Sequence, residues 1–290
     1  MTAPDPWAQW LLYRRHGGDA AQLQAVLDWL YPVRDKVLAH AGLRPGESLL
    51  DVGCGDGLIG FGALSQTPES RVIFSDIAPE LLAHVESLAR ELGVRERCRF
   101  LRASAGDLSA LADGSLDAIA TRSVLIYVDD KRRALAEFKR VLRPGGRLSL
   151  FEPINRFMAD GPPHLFYGYE AGPVQALADK VLAFAHPSGP PNGDSMLNFD
   201  ERDMVAWVEE AGFRSIQMEL QVKVGPAEER VSWPVALHSA PNPRAPTLEE
   251  AMRRTLTPDE IQTFSAYLRP LFEAGLRVER SALMYLWAVR

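Results

Sequence analysis

The sequence predicts an α/β protein with a seven-stranded, mostly parallel sheet and helices on both faces of that sheet. From about residue 45 to residue 152, short apolar runs alternate with segments of helical periodicity. This alternation is typical of parallel sheets whose strands are buried on both faces. Two more apolar runs, 214–224 and 281–289, supply the last two strands, and a helical insertion separates them.

The first five strands are short apolar runs. They are predicted at 48–52, 71–75, 98–101, 117–121 and 147–151. Three helices are predicted between them, at 57–66, 79–92 and 130–142. The third helix should end at the sequence RPGG, because Pro144 cannot continue a helix and Gly145 and Gly146 permit a turn.

Insertions interrupt this pattern in the second half of the chain. Residues 153–199 hold seven of the 21 prolines and include HPSGPPNGD, so we expect an irregular lid there. Asp200 is a good N-cap for the helix that follows, and Thr257 in TPDE is another. The predicted organisation is a core at 44–153, 200–225 and 279–290, an N-terminal helical cap at 1–43, a lid at 154–199 and a helical insertion at 226–278.

The composition is that of an ordinary globular protein, with 290 residues, 47% hydrophobic and 24% charged. Its 32 basic and 38 acidic residues give a net charge of −6, which argues against a nucleic-acid or membrane partner. No apolar run reaches the roughly 18–20 residues that span a bilayer, and MTAPDPWAQW does not resemble a signal peptide, so we expect a cytoplasmic protein. Cys54 and Cys98 do not suggest a disulfide framework, and no metal-binding spacing is present.

A glycine-rich loop follows the first strand in LLDVGCGDGLIGFG, residues 49–62. Gly53, Gly55 and Gly57 allow a sharp turn and a close approach to a ligand. The dinucleotide fingerprint would need a glycine at position 58, where Leu58 stands, and the phosphate-binding loop would need a following Lys-Ser or Lys-Thr. The sequence therefore argues against both of these phosphate-binding motifs.

Acidic residues around the loop indicate the charge of its ligand. Asp51 and Asp56 suit a positively charged group better than a pyrophosphate, although Asp56 alone also suits a helix cap. Asp76 ends the second strand, where a carboxylate is placed to accept both hydroxyls of a ribose. We therefore expect a nucleoside that carries an ammonium or sulfonium group and no phosphate.

These motifs resemble the class I S-adenosylmethionine-dependent methyltransferases. The resemblance rests on LLDVGCGDG, VIFSDIAPELL, LDAIATRSVLIYV and VLRPGGRLSLFEP, and it covers about residues 44–155. It implies a Rossmann-like fold with an antiparallel last strand, S-adenosyl-L-methionine as cofactor and S-adenosyl-L-homocysteine as product. It also implies that Asp51, Gly53 and Gly55 line the methionine end of the cofactor, with Asp76 at the ribose and Ile77 beside the adenine.

Other cofactor contacts depart from the family pattern or come from strand ends. Ser104 and Ala105 stand where many members have an acidic and a small residue that read the adenine amine. Arg122, or one of the N-terminal arginines Arg14 and Arg15, is a candidate for the cofactor carboxylate, although a structural role suits it equally. The full candidate set for the cofactor is Asp51, Gly53, Cys54, Gly55, Asp76, Ile77, Ser104, Ala105, Arg122 and Ser123.

Three further residues are candidates for catalysis. Glu152 follows an apolar strand, where burial raises a carboxyl pKa and suits a proton acceptor; alternatively, it bonds the backbone of a neighbouring turn. Tyr127 is expected to face the cofactor or acceptor, or to pack in the core. His164 is the histidine best placed to reach the pocket, and with Phe166, Tyr167 and Tyr169 it suggests the wall of an aromatic cavity.

The leading functional hypothesis is methyl transfer to a small, partly apolar or aromatic acceptor at oxygen, nitrogen or carbon. One alternative is methylation of a nucleic acid or protein. PNPR at 241–244 faintly resembles the motif of amino-directed nucleic-acid methyltransferases, but that motif belongs after the fourth strand, where TRSV stands. Another alternative is a regulatory protein that binds the cofactor without turnover. The final strand and the helical insertion also suggest a homodimer.

Overall fold

The computed structural model describes residues 5–185, 194–228 and 230–290. Its helices are α1 (Pro6–Leu12), α2 (Ala20–Ala41), α3 (Leu58–Gln66), α4 (Pro79–Glu91), α5 (Lys131–Val141), α6 (Asn155–Ala159), α7 (Gln175–Ala185), α8 (Glu201–Glu210), α9 (Trp233–His238), α10 (Leu248–Thr255) and α11 (Pro258–Ala274). Its strands are β1 (Ser48–Val52), β2 (Arg71–Asp76), β3 (Cys98–Arg102), β4 (Leu116–Arg122), β5 (Leu142–Pro153), β6 (Leu165–Phe166), β7 (Tyr169–Glu170), β8 (Arg214–Pro226) and β9 (Val278–Val289). Short 3-10 helices lie at Arg14–His16, Arg95–Arg97, Leu125–Tyr127 and Gly172–Val174.

Seven strands form one sheet in the order β3-β2-β1-β4-β5-β9-β8. The first five are parallel, and β9 runs antiparallel to β5. This arrangement confirms the predicted fold class. The register brings the carboxyl ends of neighbouring strands to the same edge, because Val52 pairs with both Ser75 and Thr121, and Arg122 pairs with Phe151.

The predicted helix N-caps at Asp200 and Thr257 are present as hydrogen bonds. The Asp200 carboxylate accepts from the N–H groups of Arg202 and Asp203, and Thr257 accepts from Glu260. In both helices the third residue bonds back to the cap backbone, which completes a capping box. These contacts supply partners for N–H groups that have none within a helix.

The described residues separate into two compact units. The sheet unit contains those of Trp29–Arg156, Asp194–Gln221 and Leu283–Arg290, and the helical unit contains those of Met1–Asp28, Phe157–Gly193 and Val222–Ala282. The second half of α2 belongs to the sheet unit, where Val33, Val37, Leu38 and Ala41 are buried in its core. The segment 1–43, which the sequence assigns to a cap, is thus divided between the units.

Part of the segment expected to be irregular is regular. α7 occupies 175–185, because QALADKVLAFA has no proline and places Ala178, Val181 and Ala185 on one buried face. Of the proline-rich run HPSGPPNGD, residues 186–193 lie outside the described ranges.

The RPGG sequence follows the end of α5 at Val141, as predicted, and Gly145 has a left-handed φ of 76° where the register between β4 and β5 shifts. The sequence RPGG lies within β5, because the N–H of Gly145 donates to the carbonyl of Arg290 and the N–H of Arg290 donates to that of Gly146. No helix in the described ranges has the length and apolar character of a membrane-spanning segment.

Candidate functional site

The glycine-rich loop after β1 has a backbone that favours glycine. Gly53, Gly55 and Gly57 have φ angles of 62°, 55° and 83°, all in the left-handed region. A Cβ atom at Gly53 would lie 2.4 Å from Cγ2 of Val124. The N–H of Cys54 donates to the carbonyl of Ser75 at 2.9 Å, which fastens the loop to the end of β2.

Asp51 lies beneath this loop with 2% of its surface exposed. Its Oδ2 accepts a hydrogen bond from the N–H of Gly60 at 2.9 Å. Burial raises the pKa of Asp51 to about 8, and the charges of Asp56 and Asp76 contribute to that rise. The Gly60 hydrogen bond and the positive charge of Arg122 act in the opposite direction. A buried carboxyl with this pKa favours a cationic neighbour, because a positive charge stabilises its ionised form.

Asp76, at the end of β2, is bonded to the loop and to the chain that follows it. Its Oδ2 accepts from the N–H of Gly55 at 3.0 Å, and its Oδ1 accepts from the N–H of Ala78 at 2.9 Å. The next residue, Ile77, has 48% of its surface exposed. Asp56 accepts from the N–H of Leu58 at 3.3 Å within the turn before α3, whose N-cap position is occupied by Gly57.

The two residues predicted at the adenine lie just after β3. The hydroxyl of Ser104 is exposed and accepts from the N–H of Gly106 at 3.2 Å, while Ala105 is buried. The N–H of Ala103 donates to the carbonyl of Asp76 at 3.1 Å, so this segment is joined to the end of β2. The hydroxyl of Ser104 retains a donor proton.

The end of β4 presents buried polar atoms without partners. The Oγ1 of Thr121 and the Nε of Arg122 are both buried and make no hydrogen bond. Ser123 follows with a φ angle of 55°, a left-handed conformation that is uncommon for serine. Of the alternative arginines, Arg14 forms an ion pair with Glu250 within the helical unit.

The Glu152 carboxylate is fully buried at the end of β5 and bonds the turn that follows β4. Its Oε1 accepts from the N–H groups of Val124 and Leu125 at 3.0 and 2.9 Å. Its Oε2 accepts from the N–H of Ile126 at 3.2 Å. Burial raises the pKa of Glu152 to about 7, although these hydrogen bonds and the charge of Lys131 oppose the rise. The structure therefore matches the alternative that Glu152 bonds a neighbouring turn.

The other two catalytic candidates lie in different units. Tyr127 ends the 3-10 helix of that same turn and is half-buried. His164 belongs to the helical unit, where its exposed ring lies 3.6 Å from the carboxylate of Glu170. The structure thus brings Tyr127 and Glu152 together in the sheet unit and holds His164 in the helical one.

Two members of the expected aromatic wall around His164 pack against residues of the helical unit. Phe166 and Tyr169 are buried in the core of the helical unit, where Phe166 packs against Phe264 and Tyr169 stacks on Phe272 at 3.7 Å. Their neighbours come from the 226–278 segment, so no local pattern indicated this burial. Tyr167 keeps 39% of its surface exposed.

Sequence reasoning missed Val124 and Lys131. Val124 contacts the glycine loop, and only the register between β1 and β4 places it there. Lys131 is 3% exposed, and its Nζ donates to the carbonyls of Val128 and Ser195 and to Oδ1 of Asn198. A lysine at the start of a helix usually faces solvent, so nothing in the sequence predicts that Lys131 is buried and donates to these three oxygens.

Comparison with known proteins places this site in a family. A family model described as a methyltransferase domain matches residues 50–150. The ubiquinone/menaquinone biosynthesis C-methyltransferase UbiE of Paracoccus denitrificans is 30% identical over 202 residues, which are 67% of this chain and 72% of that protein. The chain belongs to the class I S-adenosylmethionine-dependent methyltransferases.

This methyltransferase matches other relatives over different shares of their length. The nocamycin O-methyltransferase of Saccharothrix syringae is 28% identical over 71% of this chain and 74% of its own length. A 37.1 kDa protein in transposon TN4556 of Streptomyces fradiae is 42% identical over 38% of this chain, but the chain spans only 31% of that protein. The solved structure of geranyl diphosphate methyltransferase in complex with S-adenosylmethionine shares the fold, with a TM-score of 0.52, 19% identity and coverage of 95% of this chain and 94% of that one.

The cofactor of this family, S-adenosylmethionine, fits the residues present. Its sulfonium and ammonium groups match the buried acid Asp51, and its ribose hydroxyls match Asp76. Its carboxylate suits Arg122, whose Nε has no partner, and its adenine suits the exposed apolar surface of Ile77.

Proposed function

We propose that this methyltransferase transfers a methyl group from S-adenosylmethionine to a small organic acceptor. The observation that carries the cofactor half of this proposal is the group of carboxylates around the glycine loop. Asp51, Asp56 and Asp76 interact strongly enough for the latter two to raise the pKa of Asp51. A cationic ligand relieves this repulsion, whereas an NAD or ATP pyrophosphate would increase it.

Three residues would bind different parts of the cofactor. When bound, S-adenosylmethionine supplies an electrophilic methyl group on a sulfonium. Arg122 neutralises the carboxylate of the cofactor, Asp51 faces its positive end, and Asp76 accepts hydrogen bonds from the ribose. Correct alignment of nucleophile and methyl group supplies much of the rate enhancement in such a displacement.

A proton acceptor is needed only if the acceptor must lose a proton before or during attack. In the sheet unit we propose Tyr127 as the group that contacts the acceptor, because it ends the turn that follows β4. The Glu152 oxygens already accept from three N–H groups, which favours a structural role for that residue. His164 remains a candidate from the helical unit.

Two considerations support a small acceptor. The named relatives are an O-methyltransferase for nocamycin and a C-methyltransferase of quinone biosynthesis. The net charge of −6 disfavours a nucleic acid, whose phosphates attract basic surfaces. Oxygen and carbon are thus the acceptor atoms to test first.

The test is incubation with methyl-labelled S-adenosylmethionine and separate pools of phenols, quinones, amines, carboxylates and RNA. We expect label in a small-molecule pool, and no label with the variant Asp76→Ala. The variant Asp200→Ala, which removes a helix cap outside the site, should transfer label normally. Label in RNA alone would exclude the small-molecule proposal, and tight binding without transfer to any pool would favour a regulatory protein.

A further inference from the structure

We propose that Glu152 is a positioning residue that holds the turn after β4 against the glycine loop and thereby sets the affinity for S-adenosylmethionine. This inference rests on the cofactor and not on any acceptor. It also assigns Glu152 a function different from proton transfer. It depends on the anchoring of the turn, the contact between turn and loop, and the protonation of the carboxyl.

The end of β5 anchors four consecutive N–H groups of the turn. The carbonyl of Phe151 accepts from Ser123 at 2.8 Å, and the Glu152 carboxylate accepts from the next three residues, 124–126. Ser123 has a left-handed φ of 55°, a conformation that is strained for a residue with a Cβ atom. N–H groups at the start of a helix also have no partner within it. The turn therefore depends on Glu152 for its shape.

The anchored turn lies directly against the glycine loop. The two methyl carbons of Val124 would be 2.4 and 3.1 Å from a Cβ atom at Gly53, so its side chain touches the backbone there. The N–H of this same Val124 donates to Glu152. A displacement of Val124 would change the space available to Gly53, and with it the loop that receives the methionine end of the cofactor.

Protonation of Glu152 would weaken the anchor. Protonation removes the negative charge that strengthens the three N–H bonds to the carboxylate, and it turns one acceptor site into an O–H donor. Lys131 on α5 contributes a positive charge, Met284 faces Glu152 from β9, and the residues at 124–126 are apolar. The pKa of Glu152 is raised to about 7, so the anchor should loosen as the pH falls through neutrality.

The experiment measures the affinity for S-adenosylmethionine by calorimetry between about pH 6 and about pH 9, with no acceptor present. The variant Glu152→Gln keeps the shape of the side chain, but it replaces one carboxylate oxygen, which accepts hydrogen bonds, with an amide NH₂ group, which donates them. We expect its affinity to be about 10-fold lower at high pH, the loss of one charge-assisted hydrogen bond. We also expect it to lose the part of the pH dependence centred near 7. Asp51 titrates in the same range and is present in both proteins. The difference between the pH dependences of their affinities therefore reports the contribution of Glu152.

Asp117→Asn is the matched control. The carboxylate of Asp117 also accepts a backbone N–H, that of Ser48 at 2.8 Å, but at the amino ends of the strands. We expect native affinity and native pH dependence from this variant. Hydrogen exchange of the amides at 124–126 adds a readout that needs no cofactor, and we expect faster exchange in Glu152→Gln.

Native affinity, pH dependence and amide exchange in a folded Glu152→Gln would overturn the proposal. Lower turnover with unchanged cofactor affinity would also overturn it, because that result identifies a proton acceptor. If Glu152→Gln does not fold, Glu152→Asp retains the charge with a shorter reach and should show the same loss of protection at 124–126. Absence of S-adenosylmethionine binding by native protein would contradict the cofactor proposal, while amide exchange would still decide whether Glu152 anchors the turn.

Discussion

The carboxylate of Asp76 accepts a hydrogen bond from the backbone N–H of Gly55 at 3.0 Å. This bond joins the end of β2 to the middle of the glycine loop, and the second oxygen bonds the N–H of Ala78. Asp76 therefore shapes the loop, in addition to the ribose contact that we propose for it. Removing it should disturb both the ligand contact and the surface that receives the ligand.

We expect Asp76→Ala to reduce the affinity for S-adenosylmethionine about 100-fold, since it removes at least two charge-assisted hydrogen bonds. Asp76→Asn retains one acceptor and should lose about 10-fold. Calorimetric titration measures both. Asp200→Ala is matched, because that carboxylate also accepts two backbone N–H groups in the sheet unit, and it should leave the affinity unchanged. Equal affinities for native protein and Asp76→Ala would mean that the ribose lies elsewhere.

Gly53→Ala should combine backbone strain with a steric clash. The left-handed φ of 62° costs on the order of 1 kcal/mol for alanine, and the new Cβ would lie 2.4 Å from Val124. Gly93→Ala is the matched control, because Gly93 has a φ of 68° but no atom within 4 Å of the point that a Cβ would occupy. We expect urea denaturation to show a larger loss of stability for Gly53→Ala than for Gly93→Ala.

A double variant tests the clash between a Cβ atom at position 53 and the side chain of Val124. Val124→Ala removes the two methyl carbons nearest the Cβ position, so combining it with Gly53→Ala should recover part of the lost stability and cofactor affinity. Relative to Val124→Ala alone, the remaining loss of stability in the double variant should match the strain measured in Gly93→Ala. Strict additivity of the two substitutions would show that the contact between Val124 and Gly53 is unimportant.

The glycine loop and Asp76 could be predicted because their signals are local in sequence. The mostly parallel sheet was also predictable, since buried strands and helices alternate with clear periods. Glu152 and Val124 are different, because they lie 28 residues apart and meet through strand register. The packing of Phe166 could not be predicted for the same reason, because its partner Phe264 lies almost one hundred residues further along the chain. Contacts between residues that lie far apart in the sequence leave no local pattern that would predict them.

Arg122 should select for the carboxylate of the cofactor. Its Nε is buried and has no hydrogen-bond partner, so a bound carboxylate would satisfy a donor that is otherwise costly. We expect Arg122→Met to bind S-adenosylmethionine about 10-fold to about 100-fold more weakly. Decarboxylated S-adenosylmethionine should bind the native protein and this variant with similar affinities. A parallel loss for both ligands would instead indicate that Arg122 supports the fold of the site.

Asp51 should make the stability of the protein depend on pH. Burial raises its pKa from 3.8 to about 8, so the folded state binds this proton more tightly than the unfolded chain does. Its stabilising contribution is therefore complete below pH 3.8 and is lost as the pH rises to about 8. Relative to Asp51→Asn, native protein should lose up to about 1.4 kcal/mol of unfolding free energy per pH unit across this window. Urea denaturation at several pH values tests the difference.

The same proton should be released when the cofactor binds. A positive charge near Asp51 favours its ionised form, so binding at neutral pH must expel a proton that the free protein holds. Calorimetry in two buffers of different ionisation enthalpy measures the number released, and we expect about one proton for native protein. Asp51→Asn should release markedly fewer and should bind more weakly. If both proteins release the same number, the cationic end of the cofactor does not face Asp51, and the carboxylates around the glycine loop need another explanation.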